Sequence, residues 1–235
     1  MASEEIAVTG ATGGLGGRVA RLLAQHGIAH RLLVREPSRA PDLPHARVMQ
    51  FGGYDDAPGV RRALDGARTL FLVSAAEDPD RVALHRSAVD AAVDAGIERI
   101  VYTSFVGAAP DATFTFARDH FHTEEHIKSR DVAHTFLRHN LYIDFVPMLC
   151  SADGVTRRQI TFQNESLEEA WESRRPSGAR EYEIEGWITT YTAIAAGDLA
   201  EATDTVERFL DREPRRLGDW LRDNPESWRH LVHTS

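Results

Sequence analysis

The chain has 235 residues, of which 42% are hydrophobic, and a formal net charge of −9 at pH 7. This size and composition predict a globular protein with a substantial core. The negative charge opposes nucleic-acid binding, and the single cysteine, Cys150, excludes an internal disulfide framework and a multi-cysteine zinc site. The longest apolar runs are too short to cross a bilayer, and the N-terminus carries no signal region, so we expect a cytoplasmic protein without membrane contact.

Short β-rich runs alternate with longer amphipathic stretches from residue 4 to about residue 138. The predicted strands are residues 5–9, 30–34, 47–51, 69–73, 99–103 and 134–137. Apolar residues recur at helical spacing between them, and after the fourth strand His85 is the one polar member of such an apolar face. Strands that alternate with helices pair in parallel through right-handed crossovers. We therefore predict an α/β fold built on a doubly wound, Rossmann-like parallel sheet.

The alternation of strands and helices stops after about Tyr142. Ser166 followed three residues later by Glu169 forms a capping box, which predicts the start of a helix. Further helices are expected within residues 187–200 and 217–228, separated by loops rich in arginine and proline. We expect residues 151–235 to form a small helical region over the carboxyl ends of the strands.

Three glycines, Gly10, Gly13 and Gly16, follow the first strand and open the first helix. They are suited, respectively, to a sharp turn, a close backbone approach to a pyrophosphate, and a helix N-terminus with unpaired amides. A glycine-rich structural turn is the alternative. We predict that residues 1–150 form an NAD(P)-binding domain. The candidate cofactor-binding residues are Gly10, Thr12, Gly13, Gly14, Leu15, Gly16, Arg35, Ser74 and Thr103.

Arg35 stands directly after the second strand, where a carboxylate would bind the adenosine ribose and an arginine favours a 2′-phosphate. Its planar fork of donors suits a phosphate, and Arg39 is placed to assist. The side chain of Glu36 is expected to point away from that of Arg35. We therefore predict NADP(H) as the cofactor, with a solvated surface charge as the alternative for Arg35.

Six segments in this order resemble the NmrA-like, atypical branch of the short-chain dehydrogenase/reductase superfamily. They are TGATGGLGGRV, LLVREPSRA, GYDDAPGVRRALDGA, LFLVS, AAVDAGIERIVYTS and HTFLRHNLYIDF. Within that branch the chain is most similar to NADPH-dependent quinone reductases and triphenylmethane-dye reductases. The resemblance implies an oxidoreductase that transfers hydride from NADPH to a quinone-like or conjugated aromatic acceptor lying between the nicotinamide and the C-terminal helices. A regulatory protein that senses NADP(H) through a protein partner, without turnover, is the alternative.

Two departures from the family pattern affect this inference. Relatives have several tens of residues where this chain has only a short junction between Val155 and Ile160. The shortening affects the expected substrate pocket and sheet edge, and self-association into a homo-oligomer would cover such an edge. The second departure is Gly53, at a position where relatives often carry an aspartate that meets the adenine.

Catalysis in most of the superfamily uses a serine, a tyrosine and a lysine four residues after the tyrosine. Ser104 matches the region of the serine, whereas the tyrosine and lysine positions hold His120 and Glu124. A carboxylate at Glu124 would favour the protonated form of His120, which is a candidate acid, with packing as the alternative. Tyr142 lies where relatives bring a loop towards the nicotinamide, although a core aromatic is equally compatible. The candidate catalytic residues are Ser104, His120 and Tyr142.

Two further pairs of residues have helical spacing. His122 and His126 share a face as zinc ligands do, but position 123 lacks the glutamate of a metalloprotease motif, so we expect a polar helix face and no metal. Trp187 and Tyr191 would either cap an aromatic pocket or pack in the core of their helix.

Overall fold

The computed structural model of the protein describes residues 5–149 and 164–228. Six parallel strands form one sheet in the order β3-β2-β1-β4-β5-β6. They are β1 (Ile6–Thr9), β2 (His30–Val34), β3 (Ala46–Gln50), β4 (Thr69–Leu72), β5 (Arg99–Phe105) and β6 (Ala133–His139). The strand order reverses between β1 and β4, and such a switch point leaves a ligand-binding crevice at the carboxyl ends of the strands.

Helices connect most of the consecutive strands. They are α1 (Gly14–Gln25), α2 (Ala57–Leu64), α3 (Arg81–Asp94) and α4 (Thr115–Lys128), and α5 (Val146–Leu149) follows the last strand. From residue 164 onwards the helices are α6 (Leu167–Arg174), α7 (Glu181–Ala196), α8 (Thr205–Leu210) and α9 (Leu217–Asp223). Single 3-10 turns lie at Pro37–Arg39, Arg175–Ser177 and Pro225–Ser227.

The predicted α/β fold with a doubly wound parallel sheet is confirmed, and each of the six predicted strands is present. β2 is buried at every position, as expected for a parallel strand covered on both faces. β5 and β6 each continue two residues beyond their predicted ends, to Phe105 and His139. These added residues pair with each other and lengthen the sheet at its carboxyl edge.

The main core lies between the sheet and helices α2 and α3. Its fully buried apolar side chains include Leu64, Leu70, Leu72, Ile100 and Tyr102. Removing one such side chain from water contributes about 1.5–3 kcal/mol. The core therefore fixes β4 and β5, whose carboxyl ends carry several of the candidate site residues.

The capping box at the start of α6 is confirmed. Ser166 Oγ accepts from the Glu169 N–H, and the Glu169 carboxylate accepts from the Ser166 N–H. α7 begins at Glu181, six residues earlier than predicted, and ends before Gly197, which has a φ of +80°. The short helix α8 was not predicted. Helix α7 lies beside the carboxyl end of β5, because Phe105 and Phe114 pack in one cluster with Ala193.

The aromatic pair of α7 lies on its outer face. Trp187 and Tyr191 are 39% and 40% exposed, whereas Ile184 and Ile188 fill the contact with α6. The alternative that Trp187 and Tyr191 pack in the core is therefore wrong. The guanidinium of Arg174 lies 5.5 Å from the centre of the Tyr191 ring.

Two sequence features fall outside the described residues, namely Cys150 and the short junction between Val155 and Ile160. Within residues 5–149 and 164–228, each helix is too short or too polar to cross a lipid bilayer.

Candidate functional site

A cavity of about 490 Å³ opens at the carboxyl ends of β1, β2 and β4. This volume lies in the usual range of small-molecule sites, and the place is the switch point of the sheet. Four of the candidate cofactor-binding residues line the cavity: Gly10, Thr12, Arg35 and Ser74.

The turn from β1 into α1 requires glycine at its first position. Gly10 has a φ of +63°, a conformation that side chains rarely adopt, and its carbonyl accepts from the Gly13 N–H at 2.9 Å. Gly13 precedes the helix and has no side chain to cap the first-turn amides. The first turn of α1 is uncharged in sequence, so its amides and the positive end of the helix dipole are suited to an anion.

Gly16 serves close packing. A Cβ atom at this position would lie 2.4 Å from the Gly10 carbonyl oxygen and 2.5 Å from that of Thr9. Such distances exclude any side chain, so glycine allows α1 to pack directly on the end of β1. Backbone contact is therefore a second reason for glycine here, beside the expected place of Gly16 in the first turn of α1.

Arg35 lies at the rim of the cavity, directly after β2, with its side chain exposed. It also lines an adjoining cleft of about 540 Å³, together with Arg62 of α2. The carboxylate of Glu36 contacts the guanidinium of Arg39 at 3.4 Å. Two guanidinium groups around one cleft suit a phosphate. Sequence reasoning missed Arg62 because only the fold brings α2 next to the end of β2.

The wall made by residues 73–75 is held by side chains from three other elements. Val73 N–H donates to Thr9 Oγ1 at 2.8 Å, Ser74 N–H to Thr103 Oγ1 at 2.7 Å, and Ala75 N–H to His85 Nε2 at 2.8 Å. Thr103 is buried, and its hydroxyl positions Ser74. Its predicted contact with a cofactor is therefore at most indirect, through the Ser74 backbone.

Tyr54 and Asp55 line the cavity after β3. The Tyr54 hydroxyl lies 2.8 Å from Thr9 Oγ1 and also contacts the Val73 carbonyl, and burial raises the pKa of Tyr54 to about 12. Gly53 has a φ of +151°, and a Cβ there would lie 2.8 Å from a carboxylate oxygen of Asp55. An aspartate at position 53 would thus be strained, and Asp55 brings a carboxylate to the cavity two residues later.

Ser104 and Glu124 belong to a buried polar cluster. The Ser104 hydroxyl donates to Glu124 Oε1 at 2.6 Å. Arg138 donates to both oxygens of the same carboxylate, at 2.9 Å from Nε and 2.6 Å from Nη2. Glu124, at the expected lysine position, therefore forms a bidentate ion pair with Arg138.

His120 is a buried, neutral imidazole. Its Nδ1 lies 2.8 Å from the Tyr102 hydroxyl, and its Nε2 lies 3.1 Å from Arg81 Nη2. Arginine can only donate, so Nε2 accepts and the ring proton is on Nδ1. Burial and the charge of Arg81 hold the pKa of His120 well below its usual value. The expectation that Glu124 favours the protonated imidazole is wrong, because Glu124 pairs with Arg138.

Tyr142 is 43% exposed, so its reading as a core aromatic is wrong. Its ring centre lies 5.4 Å from that of His139, the last residue of β6. Arg18 of α1 donates to Asp144 at 2.9 Å, which ties the loop of Tyr142 to the helix that follows the glycine turn. The contact brings this loop next to the cofactor-side helix.

His122 and His126 do not act together. His126 Nε2 lies 2.6 Å from Asp90, which also pairs with Arg130, while His122 is exposed. In the described parts of the chain, no cluster of three or more His, Cys, Asp or Glu side chains is arranged to hold a metal ion.

The buried histidines make stability depend on pH. Burial lowers the pKa of His85 from its ordinary 6.5 to about 3, and the pKa of His120 is also lowered. The unfolded chain therefore takes up protons near pH 6.5, whereas the folded chain does not. Each histidine's contribution is fully present above that pH and is lost as the pH falls towards the folded pKa.

We expect the free energy of unfolding to fall between pH 7.5 and pH 5, with His85 alone contributing about 2 kcal/mol, at about 1.4 kcal/mol per pH unit below its unfolded pKa. Urea unfolding at the two pH values measures this change. His85→Gln should make this fall smaller, because it removes the imidazole whose pKa burial lowers to about 3. A stability that does not change between these pH values would contradict the assignment of neutral histidines.

A family model described as NAD(P)H-binding matches residues 10–170 of this chain, from the glycine turn past β6. Among curated proteins, quinone oxidoreductase 2 of Escherichia coli (strain K12) is 33% identical over 140 residues. That alignment covers 58% of this chain and 49% of the relative, so the chain spans about half the length of this curated relative.

Two crystal structures have a similar fold. One is the NADPH-dependent quinone oxidoreductase QOR2 from Escherichia coli complexed with NADPH, with a TM-score of 0.81 and 21% identity over 96% of this chain and 99% of that chain. The other is the Citrobacter sp. triphenylmethane reductase complexed with NADP(H), with a TM-score of 0.76 and 21% identity over 97% of this chain and 100% of that chain. At these identities the likeness shows the fold alone.

The predicted resemblance to quinone and triphenylmethane reductases is thus confirmed at the level of similarity. The family match covers more than half of the chain and contains the glycine turn, Arg35 and strands β2 to β6. The chain belongs to this NAD(P)H-binding family.

Proposed function

We propose that this protein is an NADPH-dependent reductase that transfers hydride to a quinone-like or conjugated aromatic small molecule. The observation that carries the proposal is the cavity at the switch point, which joins the glycine turn at one wall to Arg35 at its rim. The similarity of the chain to a quinone oxidoreductase and a triphenylmethane reductase supports the same proposed activity.

The residues of the cavity fit a dinucleotide phosphate. The uncapped first turn of α1 would hold the pyrophosphate, and Arg35 would meet the 2′-phosphate. Ser74, after β4, would face the central part of the cofactor. When bound, the nicotinamide supplies the hydride, while the protein orients the reactants and excludes water.

We place the acceptor between Tyr142 and the C-terminal helices. Tyr142 presents an exposed ring, and Tyr182 of α7 donates to the carbonyl of Glu77, a cavity residue, at 3.4 Å. Residues 164–228 would then form the substrate side and residues up to about 150 the cofactor side. An exposed aromatic ring suits a flat, conjugated acceptor.

Ser104 and His120 act, in this proposal, by positioning neighbouring groups. The Ser104 hydroxyl donates a hydrogen bond to Glu124, and each ring nitrogen of His120 has a hydrogen-bond partner in the protein. Acceptors that are already electron-poor need little help from a protein acid, so an engaged histidine is compatible with their reduction.

We expect His120→Ala to lower quinone turnover by less than about 100-fold, the lower end of general acid–base contributions. The reason is that the His120 ring is neutral and engaged with Arg81 and Tyr102. Steady-state oxidation of NADPH with a quinone measures the effect, and the NADPH dissociation constant is the control. A larger loss of kcat with unchanged NADPH affinity would make His120 a true acid.

The experiment that tests the proposed function is an acceptor panel with NADPH as the donor. A benzoquinone, a naphthoquinone and a triphenylmethane dye should be reduced, whereas a simple aliphatic ketone should not. Binding of NADPH without reduction of any member would favour the regulatory alternative, and reduction of the ketone alone would contradict the proposed acceptor class.

A further inference from the structure

Ala75 is held at both of its backbone polar groups by side chains from α3. Its N–H donates to His85 Nε2 at 2.8 Å, and its carbonyl accepts from Arg81 Nε at 2.9 Å. Arg81 and His85 are four residues apart and so lie on one face of the helix. Both are buried, and Ala75 lies in the cavity wall beside Ser74 and Ala76.

The tautomer of His85 is fixed by these contacts. Because Nε2 accepts from the Ala75 N–H, the neutral ring carries its proton on Nδ1. Nδ1 lies 2.8 Å from Thr123 Oγ1, and the Thr123 hydroxyl donates to the Asp119 carbonyl at 2.8 Å. The ring therefore connects the cavity wall to α4, with Nε2 as the acceptor and Nδ1 as the donor.

Arg81 joins the same wall to both α4 and α7. Its Nη1 lies 3.3 Å from Asp119, its Nη2 lies 3.1 Å from His120 Nε2, and its guanidinium carbon lies 5.6 Å from the centre of the Phe116 ring. Phe116 in turn packs on Gly186 of α7, where a Cβ would lie 2.6 Å from the ring. The position of Ala75 is therefore tied to the substrate-side helix.

We propose that Arg81 and His85, together called the Ala75 clamp, are positioning residues that set the cavity wall against which NADPH lies. This inference rests on the cofactor site proposed above. A wall segment whose N–H and carbonyl are both held by side chains is already ordered before the cofactor binds, so binding does not have to bear the entropy cost of ordering it. The clamp also gives a role to His85, the polar residue on an otherwise apolar helix face.

Two substitutions of His85 separate its two contacts. Asparagine places its amide near the position of Nδ1 and ends short of Nε2, whereas glutamine reaches the position of Nε2. Because the loss of the Ala75 contact leaves the wall to be ordered on binding, we expect His85→Asn to raise the NADPH dissociation constant and the KM for NADPH about 10-fold or more, with a smaller change in kcat. His85→Gln should stay within about threefold of the unmodified protein, because it restores the acceptor for Ala75.

Thr123→Val is the matched control for a general loss of stability. It removes the nearer of the two partners of Nδ1, the other being the Tyr102 hydroxyl at 3.4 Å, and leaves the Ala75 contact, so it should lower the melting temperature while the NADPH dissociation constant stays within about threefold. The clamp is overturned if folded His85→Asn binds NADPH normally, or if Thr123→Val weakens binding as much as His85→Asn does.

If His85→Asn fails to fold, amide hydrogen exchange of the unmodified protein tests the Ala75 clamp instead. A slowly exchanging Ala75 amide that NADPH protects further supports the clamp, and exchange at the rate of an exposed loop, unchanged by NADPH, overturns it. An unmodified protein that binds no NADPH would instead overturn the proposed cofactor site, which keeps the two failures distinct.

Discussion

A Gly13→Val variant should fold and lose affinity for NADPH and NADH alike, by at least about 100-fold, or about 2.7 kcal/mol. The branched side chain would stand at the entrance to α1, where the first-turn amides and the positive end of the helix are open to a pyrophosphate. Both cofactors carry that pyrophosphate, so the loss should not distinguish them. Calorimetric titration of each cofactor measures it.

The same position offers a graded control. A Cβ at Gly13 would lie 3.3 Å from the Gly10 carbonyl oxygen, a tight contact that a small shift relieves, so the fold should survive. Gly13→Ala should then give an intermediate loss of affinity with a melting temperature close to that of the unmodified protein. Normal binding by folded Gly13→Val would remove the glycine turn from the cofactor site.

Arg35→Asp should weaken NADPH binding selectively, by roughly 1.5–3 kcal/mol for the loss of a hydrogen bond to a charged group. That range corresponds to about 10- to 150-fold in the dissociation constant. The reason is that Arg35 lies at the end of β2 on the cavity rim, where only NADPH would present a 2′-phosphate. NADH affinity should change little, and titration of both cofactors checks the difference.

Arg39 provides the matched control for Arg35. Its guanidinium lies 3.4 Å from the carboxylate of Glu36, and its side chain is exposed. Arg39→Asp changes the charge of the same segment by the same amount as Arg35→Asp, but it removes an arginine that is paired with Glu36, so it should weaken NADPH binding much less. Equal losses for the two variants would show that general charge, and no specific contact, attracts the phosphate.

The sheet and the glycine turn could be predicted from sequence because their signals are local. Short β-rich runs marked each of the strands, and apolar residues at helical spacing marked helices between them. Gly10 follows β1 directly in the chain. The capping box at Ser166 is also local, since its two partners are three residues apart. Helix boundaries were predicted less accurately than the presence of the helices, since α7 begins six residues before its predicted start.

The chemistry of the polar cluster could not be predicted, because its partners are distant in sequence. Glu124 is neutralised by Arg138 of β6, and His120 receives a hydrogen bond from Arg81 of α3. Spacing along α4 placed Glu124 four residues after His120 but could not say which charge each would meet. The outward orientation of Trp187 was missed because the buried contact of α7 is set by the neighbouring α6.

We expect the cavity at the switch point to hold NADP(H), and one measurement tests this most directly. Calorimetric titration of NADPH and of NADH into the unmodified protein, at the same salt concentration, gives both dissociation constants. The account predicts binding of both cofactors, with NADPH tighter by at least about 10-fold, the lower end of the value of one charged contact. Failure of NADPH to bind, or equal affinities for the two cofactors, would contradict it.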